Sequence, residues 1–309
     1  MKQLQGIVAA MVTPYDAHDH IDLAALDRLT DFLVAAGIHC LYPLGTTGEM
    51  HLLSVEERKR VAEAVIARNA GRATVYIHVA ALTLADSMTL ARHAHAAGAD
   101  GIAVVTPSYF GVTDREMEEW FVAIAGSVPA DYPVYLYNIP QLAVNDLTPA
   151  VIERVVARCP NVVGIKYSGM DFIRISDYLK IRGGNFSVVI GGDRLAIAGA
   201  AMGCDGVVTG TCCAVPELYV RLWNAIQKGD VADAARLQRA QQEYSALVKH
   251  GGSMPLIKQA LMLRGVFQDV CTRPPLLPPS PQEAADFTRA FNAWRFAAMA
   301  DDPGEGIQQ

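Results

Sequence analysis

Ala36-Gly37-Ile38-His39-Cys40-Leu41-Tyr42-Pro43-Leu44 contains the phrase that decides the fold. It returns as Ala97-Gly98-Ala99-Asp100-Gly101-Ile102-Ala103-Val104-Val105, and again as Met202-Gly203-Cys204-Asp205-Gly206-Val207-Val208. Each copy is a helix end, a Gly, a short turn and an apolar run. Gly just past a helix end adopts the left-handed conformation without the clash a Cβ brings. The runs are hydrophobic throughout, as parallel strands covered on both faces require. A recurring helix–Gly–strand phrase is an internal repeat, so βα units organise the chain.

Outward from these copies, strands are expected over residues 6–12, 39–44, 74–79, 101–105, 133–137, 162–166, 187–190 and 206–208. Ser54-Val55-Glu56-Glu57 is a capping box that opens a helix to about residue 69. Further helices are expected over 22–36, 84–97, 114–127, 148–158, 171–182, 194–202 and 216–228. Eight strands, each followed by a helix, fit an α/β fold closed as a (β/α)8 TIM barrel. An open doubly wound sheet usually has fewer strands and an early Gly-rich phosphate loop, and no such loop follows a strand here. After Gly229 the pattern becomes helical only, over 230–249, 254–266 and 281–299. The expected organisation is a catalytic barrel (1–229), a C-terminal helical extension (230–300) and a disordered tail (301–309). The segment Arg273-Pro274-Pro275-Leu276-Leu277-Pro278-Pro279-Ser280-Pro281 reads as a stiff link between packed helices or as a polyproline-type ligand.

The 309 residues suit two domains, or one barrel of about 250 residues with an addition. Apolar residues make up 51% and charged ones 19%, a globular composition too hydrophobic for a disordered chain. With 26 Lys plus Arg against 32 Asp plus Glu, net charge is −6. No basic block offsets it, which argues against nucleic acid and against an anionic membrane surface as partner. No apolar run approaches the roughly 20 residues of a membrane helix, and Met1-Lys2-Gln3-Leu4-Gln5-Gly6 leads into a strand without a signal-peptide core. Six Cys, with Cys212 and Cys213 adjacent and no C-x-x-C, are too sparse for a disulfide framework or structural zinc. The expectation is a reduced, cytoplasmic protein without a metal or cofactor.

Function in a barrel is sought at the C-terminal ends of the strands. After the second strand stands Gly45-Thr46-Thr47-Gly48-Glu49, which fits either an anion cradle of backbone N–H groups or a plain hydroxyl-capped turn. After the fourth come Thr106-Pro107-Ser108-Tyr109-Phe110, and the fifth ends in Tyr135-Leu136-Tyr137-Asn138-Ile139-Pro140. Phenols relay protons when chained to a hydroxyl, or simply bury area with a polar tip. Tyr135 and Tyr137 share a face by period two, so one lies deeper than the other. The sixth strand ends in Val163-Gly164-Ile165-Lys166-Tyr167-Ser168. A Lys closing a buried strand is unusual. A desolvated amine loses its proton more readily than an exposed one, and the neutral form attacks carbonyls to give a Schiff base. A paired or snorkelling Lys is the structural alternative. After the seventh strand, Gly191-Gly192 allow close approach, and Asp193 reads as a helix N-cap or a binding group. His78, inside a strand, reads as a satisfied buried His.

Gly45-Thr46-Thr47-Gly48-Glu49, Tyr137-Asn138-Ile139-Pro140 and Gly164-Ile165-Lys166, in this order and spacing, resemble the dihydrodipicolinate synthase / N-acetylneuraminate lyase family. The resemblance covers about residues 4–300. It implies a (β/α)8 barrel with a C-terminal helical extension, usually a homotetramer built as a dimer of dimers. It also implies metal-independent class I aldolase chemistry on pyruvate or another 2-oxo acid. Lys166 then resembles the Schiff-base lysine and Tyr137 the proton-shuttling phenol. Thr46 resembles the hydroxyl that links Tyr137 to a second phenol. That second phenol is resembled by Tyr109, which in tetrameric synthases reaches a neighbouring subunit's site. Thr47 resembles a holder of the pyruvate carboxylate, and Gly191 and Val208 resemble positions lining the site.

Departures from the family pattern point to a lyase-like subtype. Synthases place an Arg two residues after the motif Pro to clamp the second substrate's carboxylate, whereas here Pro140 is followed by Gln141 and Leu142. Leu cannot make that bidentate bond. Sialate lyases carry Leu there, yet they have Asp-Glu where this chain has Asp193-Arg194, and a Ser where it has Gly210. Arg194 therefore reads as a cation in an altered tail pocket or as a solvent-facing residue of the following helix. Leu82 stands where lysine-inhibited synthases have an Asn. The resemblance implies an aldolase for a 2-oxo-3-deoxy sugar acid. Sialate lyase, dihydrodipicolinate synthase, a sugar-acid dehydratase and a non-catalytic small-molecule sensor remain as rivals.

Overall fold

The computed structural model describes residues 2–299. Eight parallel strands pair in sequence order, and the last closes on the first. They are β1 (Gly6–Ala10), β2 (Cys40–Tyr42), β3 (Thr74–His78), β4 (Gly101–Val105), β5 (Val134–Asn138), β6 (Val162–Tyr167), β7 (Ser187–Ile190) and β8 (Gly206–Thr209). Each lies where the repeat phrase and its apolar runs place it. The second stops at Tyr42 rather than 44, because Pro43 has no N–H for the ladder and Leu44 takes a φ of 67°.

Helices α1 (Leu23–Ala35), α2 (Val55–Asn69), α3 (Leu84–Ala96) and α4 (Asp114–Ala125) cover the first half of the barrel. The Ser54–Glu57 capping box forms as expected, with both reciprocal bonds made. A single turn, α5 (Pro140–Ala143), interrupts the loop after β5 and was not expected. Then come α6 (Pro149–Arg158), α7 (Phe172–Leu179), α8 (Ala196–Met202) and α9 (Pro216–Lys228). The helix expected over 171–182 ends at Leu179. Arg182 and Gly183 turn left-handed, and the Arg182 guanidinium donates to the carbonyls of Val156, Cys159 and Pro160 at the end of α6. The helix expected from 194 begins at Ala196, since Asp193–Leu195 forms a 3-10 turn first.

The barrel interior is a separate core from the helix–sheet layer. Val8, Cys40, Tyr42, Tyr76, Ala103, Tyr135, Val189 and Val208 fill it. At its N-terminal end the Tyr76 and Tyr135 rings meet edge to face at 5.3 Å. The Tyr76 hydroxyl donates to the Lys2 carbonyl (2.6 Å), and the Leu4 N–H donates to the Tyr135 hydroxyl (3.1 Å). A Cβ on Gly164 would lie 2.5 Å from the Tyr135 ring, so a glycine on the neighbouring strand makes room for this floor.

The extension consists of α10 (Val231–Leu247), α11 (Met254–Leu263) and α12 (Pro281–Met299). Trp294 on α12 donates its indole N–H to the Ala240 carbonyl on α10 (3.0 Å) and lies beside Tyr244. The proline-rich segment joins α11 to α12. Arg273 at its start binds Glu57 and Asp19 of the barrel, 216 and 254 residues away. The tail expected to be disordered (301–309) lies outside the described residues. Among the described residues no helix is long and apolar enough to cross a membrane.

Candidate active site

Strand register brings the chemistry together. Tyr137 pairs with Lys166 across β5 and β6, and Lys166 with Val189 across β6 and β7. Lys166 is buried, and its Nζ lies 3.9 Å from the Tyr137 ring centroid and 5.2 Å from that of Tyr42. Both rings present π faces that favour a cation. The Thr46 and Tyr137 hydroxyls stand 3.5 Å apart. Burial works to raise the Tyr137 phenol, but the Lys166 charge and the hydroxyls of Thr46 and Ser168 outweigh it, so its pKa falls below the usual value. Period two sorts the two tyrosines of β5 as expected: Tyr135 belongs to the floor and Tyr137 to the mouth.

The turn carrying Thr46 and Thr47 is held by unusual backbone. Leu44 and Glu49 both take positive φ, Glu49 N–H donates to the Thr46 carbonyl (3.0 Å), and Thr13 donates to the Gly48 carbonyl (2.8 Å). Glu49 itself is sealed in an ion pair with Lys258 of α11, at 2.6 Å. Burial pushes the Glu49 carboxyl up and the Lys258 ammonium down, and their mutual attraction opposes both shifts.

A cavity of about 680 Å³ opens at this end of the barrel. Lys166, Tyr137, Thr46, Thr47, Gly191, Val208, Leu142, Asp193 and Arg194 all line it. A Cβ on Gly210 would lie 2.5 Å from the Thr47 side chain, and one on Gly191 would strike the Ser168 hydroxyl. These two glycines therefore keep space for the two hydroxyl groups.

Tyr109, expected at a neighbouring subunit's site, does not line the cavity of its own chain: it is 79% exposed, at φ 77°, with its ring edge to face against Phe110. Two other expectations need correction. Asp193 caps no helix. Its Oδ2 accepts from Thr209 (3.1 Å), Thr211 (2.5 Å) and Tyr219 (3.1 Å), a buried network continued by Gln241 of α10. His78 is fully buried, with the Leu44 backbone as its one weak hydrogen-bond contact among the described residues. Burial, helped by the charges of Arg58 and Lys166, drives its pKa well down and keeps the ring neutral. That ring stands edge to face against Tyr137 at 6.1 Å. Arg194 lines the cavity.

Ser168, Met170, Gln242 and His250 also line the cavity, and sequence reasoning did not single them out. For Gln242 and His250 no local signal existed, because they lie in the extension. Among the described residues no group of His, Cys, Asp and Glu is placed to hold a metal ion.

A lysine at the end of strand six, against a phenol at the end of strand five, inside the mouth of a (β/α)8 barrel, is the ground plan of a class I carbon–carbon lyase. The model of the dihydrodipicolinate synthetase family matches residues 3–293, and the chain belongs to that family. It is 32% identical to the N-acetylneuraminate lyase of Mediterraneibacter gnavus, over 89% of this chain and 88% of that one. It is also 32% identical to a probable 2-dehydro-3-deoxy-D-pentonate aldolase of Escherichia coli, over 93% and 95%. The crystal structure of dihydrodipicolinate synthase from Aquifex aeolicus superposes with a TM-score of 0.89 at 29% identity, covering 94% of this chain and 98% of that one.

Proposed function

We propose that this enzyme is a Schiff-base-forming, pyruvate-dependent aldolase that cleaves or forms a 2-oxo-3-deoxy sugar acid. The observation that carries the reading is the Lys166 amine, buried 3.9 Å from the Tyr137 ring in a cavity that also holds Thr46 and Thr47. In cleavage, Lys166 Nζ adds to the C2 carbonyl and water leaves, giving a protonated imine. The C3–C4 bond then breaks. Its electron pair enters the imine to give an enamine, while Tyr137 accepts the C4 hydroxyl proton and the aldehyde departs. Protonation at C3 and addition of water release pyruvate and the free amine. A phenol with a lowered pKa suits the accepting role.

Thr47 holds the 2-oxo acid's carboxylate, Gly191 and Val208 give it space, and Thr46 positions the Tyr137 hydroxyl. Residues 1–229 supply the reacting groups, and the 230–300 extension closes the outer wall through Gln242 and His250. Leu142 in place of a carboxylate-binding Arg favours a sugar-acid aldolase over a dihydrodipicolinate synthase, as does the named activity of the Escherichia coli relative. A homotetramer fits the mouth loops, where Leu82, Tyr109, Phe110, Val144, Met170 and Ile173 are all exposed. In such an assembly Tyr109 would extend the Thr46–Tyr137 chain from a neighbouring subunit. A reduced, cytoplasmic setting suits the six unpaired cysteines.

Borohydride with pyruvate tests the central step. The expected result is one reduced pyruvate on Lys166 and none in Lys166→Arg, whose guanidinium stays protonated. An adduct elsewhere, or none in the native enzyme, overturns the reading and favours a barrel that only binds small molecules.

A further inference from the structure

Beside the reacting groups, the same cavity has a mixed lining. Ile139, Leu142 and Met170 give it apolar lining, while Arg194, Gln242 and His250 give it polar lining. Arg194 lies in the turn after β7. Its guanidinium makes no hydrogen bond or ion pair with any described residue, and only its carbonyl is engaged, by the Gln242 side chain at 3.5 Å. A partly buried guanidinium without a carboxylate is an open site for one, because its donors form a fork that matches carboxylate and phosphate oxygens. The one acid lining the cavity, Asp193, has its Oδ2 occupied by three hydroxyl donors.

Backbone strain marks the same place. Lys249, His250 and Gly251 follow one another in the left-handed region, at φ 52°, 56° and 78°. Two consecutive non-glycine residues there are held by their surroundings, and such outliers gather at ligand clamps. This strained turn between α10 and α11 brings His250 to the cavity that Arg194 lines. The volume of about 680 Å³ is on the scale that houses drug-sized ligands, so a three-carbon acid leaves most of it empty.

We infer that Arg194, with His250 and Gln242, forms an anion subsite, and that the physiological sugar acid carries a second anionic group, a carboxylate or a phosphate, at the end remote from its 2-oxo group. The inference rests on the aldolase reading, since the substrate must be seated on Lys166. It differs from a neutral polyol pocket in resting on a cation unpaired among the described residues, Arg194, in the cavity wall.

The test uses three 2-oxo-3-deoxy acids of equal chain length, ending in a hydroxymethyl, a carboxylate or a phosphate ester, with pyruvate release as the readout. At least one anionic acid is expected to exceed the neutral one by about 10- to 100-fold in kcat/KM, the scale of a charge-assisted hydrogen bond. A gain with the carboxylate alone identifies a diacid, and a gain with the phosphate alone a phosphorylated sugar acid. Arg194→Gln should erase the preference mainly through KM, Arg194→Lys should restore part of it, and His250→Asn should weaken it. Equal or better cleavage of the neutral acid, or a preference unchanged in Arg194→Gln, overturns the inference. Borohydride trapping of pyruvate on the native enzyme separates the two levels. Trapping without an anionic preference removes this inference alone, and absence of trapping removes the aldolase reading beneath it.

Discussion

Lys258→Met should destabilise the protein by about 3–5 kcal/mol, the usual loss when one partner of a buried ion pair is removed. Lys258 Nζ lies 2.6 Å from Glu49 Oε1, and the two side chains are 1% and 0% exposed. At an effective dielectric of about 20 the attraction at that distance is about 6 kcal/mol, most of it offset by the desolvation of both charges. Removing the ammonium leaves the desolvation of Glu49 uncompensated. The nearest further cation, Arg273, is already engaged by Glu57 and Asp19. The double variant Glu49→Leu/Lys258→Met deletes both charges and should return to within about 1 kcal/mol of the native protein. Urea unfolding at one fixed protein concentration measures all four corners of the cycle. A double variant no more stable than Lys258→Met would refute the claim that these residues act as a pair. Because Glu49 ends the turn that carries Thr46 and Thr47, the single variant should also raise the KM for pyruvate, and the double variant should recover much of it.

Tyr137→Phe should still form the borohydride adduct while turning over roughly 10²–10⁴-fold more slowly, the scale of a lost acid–base group; unchanged turnover would make Tyr137 a packing residue. Leu142→Arg should improve aspartate semialdehyde as a partner for pyruvate by about ten- to a hundredfold, and efficient use of that aldehyde by the native enzyme would contradict the lyase-like reading. Hydrogen bonding from Arg273 lowers the Glu57 carboxyl to about 2. The folded state therefore gives up this proton more readily than the unfolded chain, so the stabilisation is complete above about pH 4.5 and fades as pH falls toward 2. Screening at this partly exposed site limits it to about 1 kcal/mol. Unfolding midpoints of the native protein should thus fall more steeply over that window than those of Glu57→Gln, and parallel curves would remove Glu57 from the acid response.

Strands were readable because each is a short apolar run behind a helix end and a Gly, a purely local signature. Lys166 and Tyr137 were readable for the same reason, as polar residues closing such runs. What the sequence concealed depends on docking between distant segments. Asp193 looks like a cap beside its own helix, and only the arrival of Tyr219 and Gln241 turns its carboxylate into the centre of a network. Gln242 on α10 and His250 in the turn after it show no local reason to line the barrel's cavity. For His78, burial followed from the strand pattern, but its flanking rings, Tyr42 and Tyr137, did not. Arg182 broke a helix that periodicity continued, because three carbonyls at the end of α6 compete for its guanidinium.

The crossed Tyr76 and Tyr135 rings, stitched to the chain at Lys2 and Leu4, have a consequence for traffic. They close the barrel at its N-terminal end, on the far side of Lys166 from the mouth. On the proposed aldolase chemistry, reactants would then queue. In synthesis the 2-oxo acid would enter first and become tethered, and the aldehyde would follow it through the same mouth. In cleavage by that route the aldehyde would stand between the enamine and solvent, so it would leave first and pyruvate last. An aldehyde that arrives early would occupy the mouth and bar the 2-oxo acid behind it. High aldehyde concentration should therefore slow synthesis in a way that added pyruvate relieves.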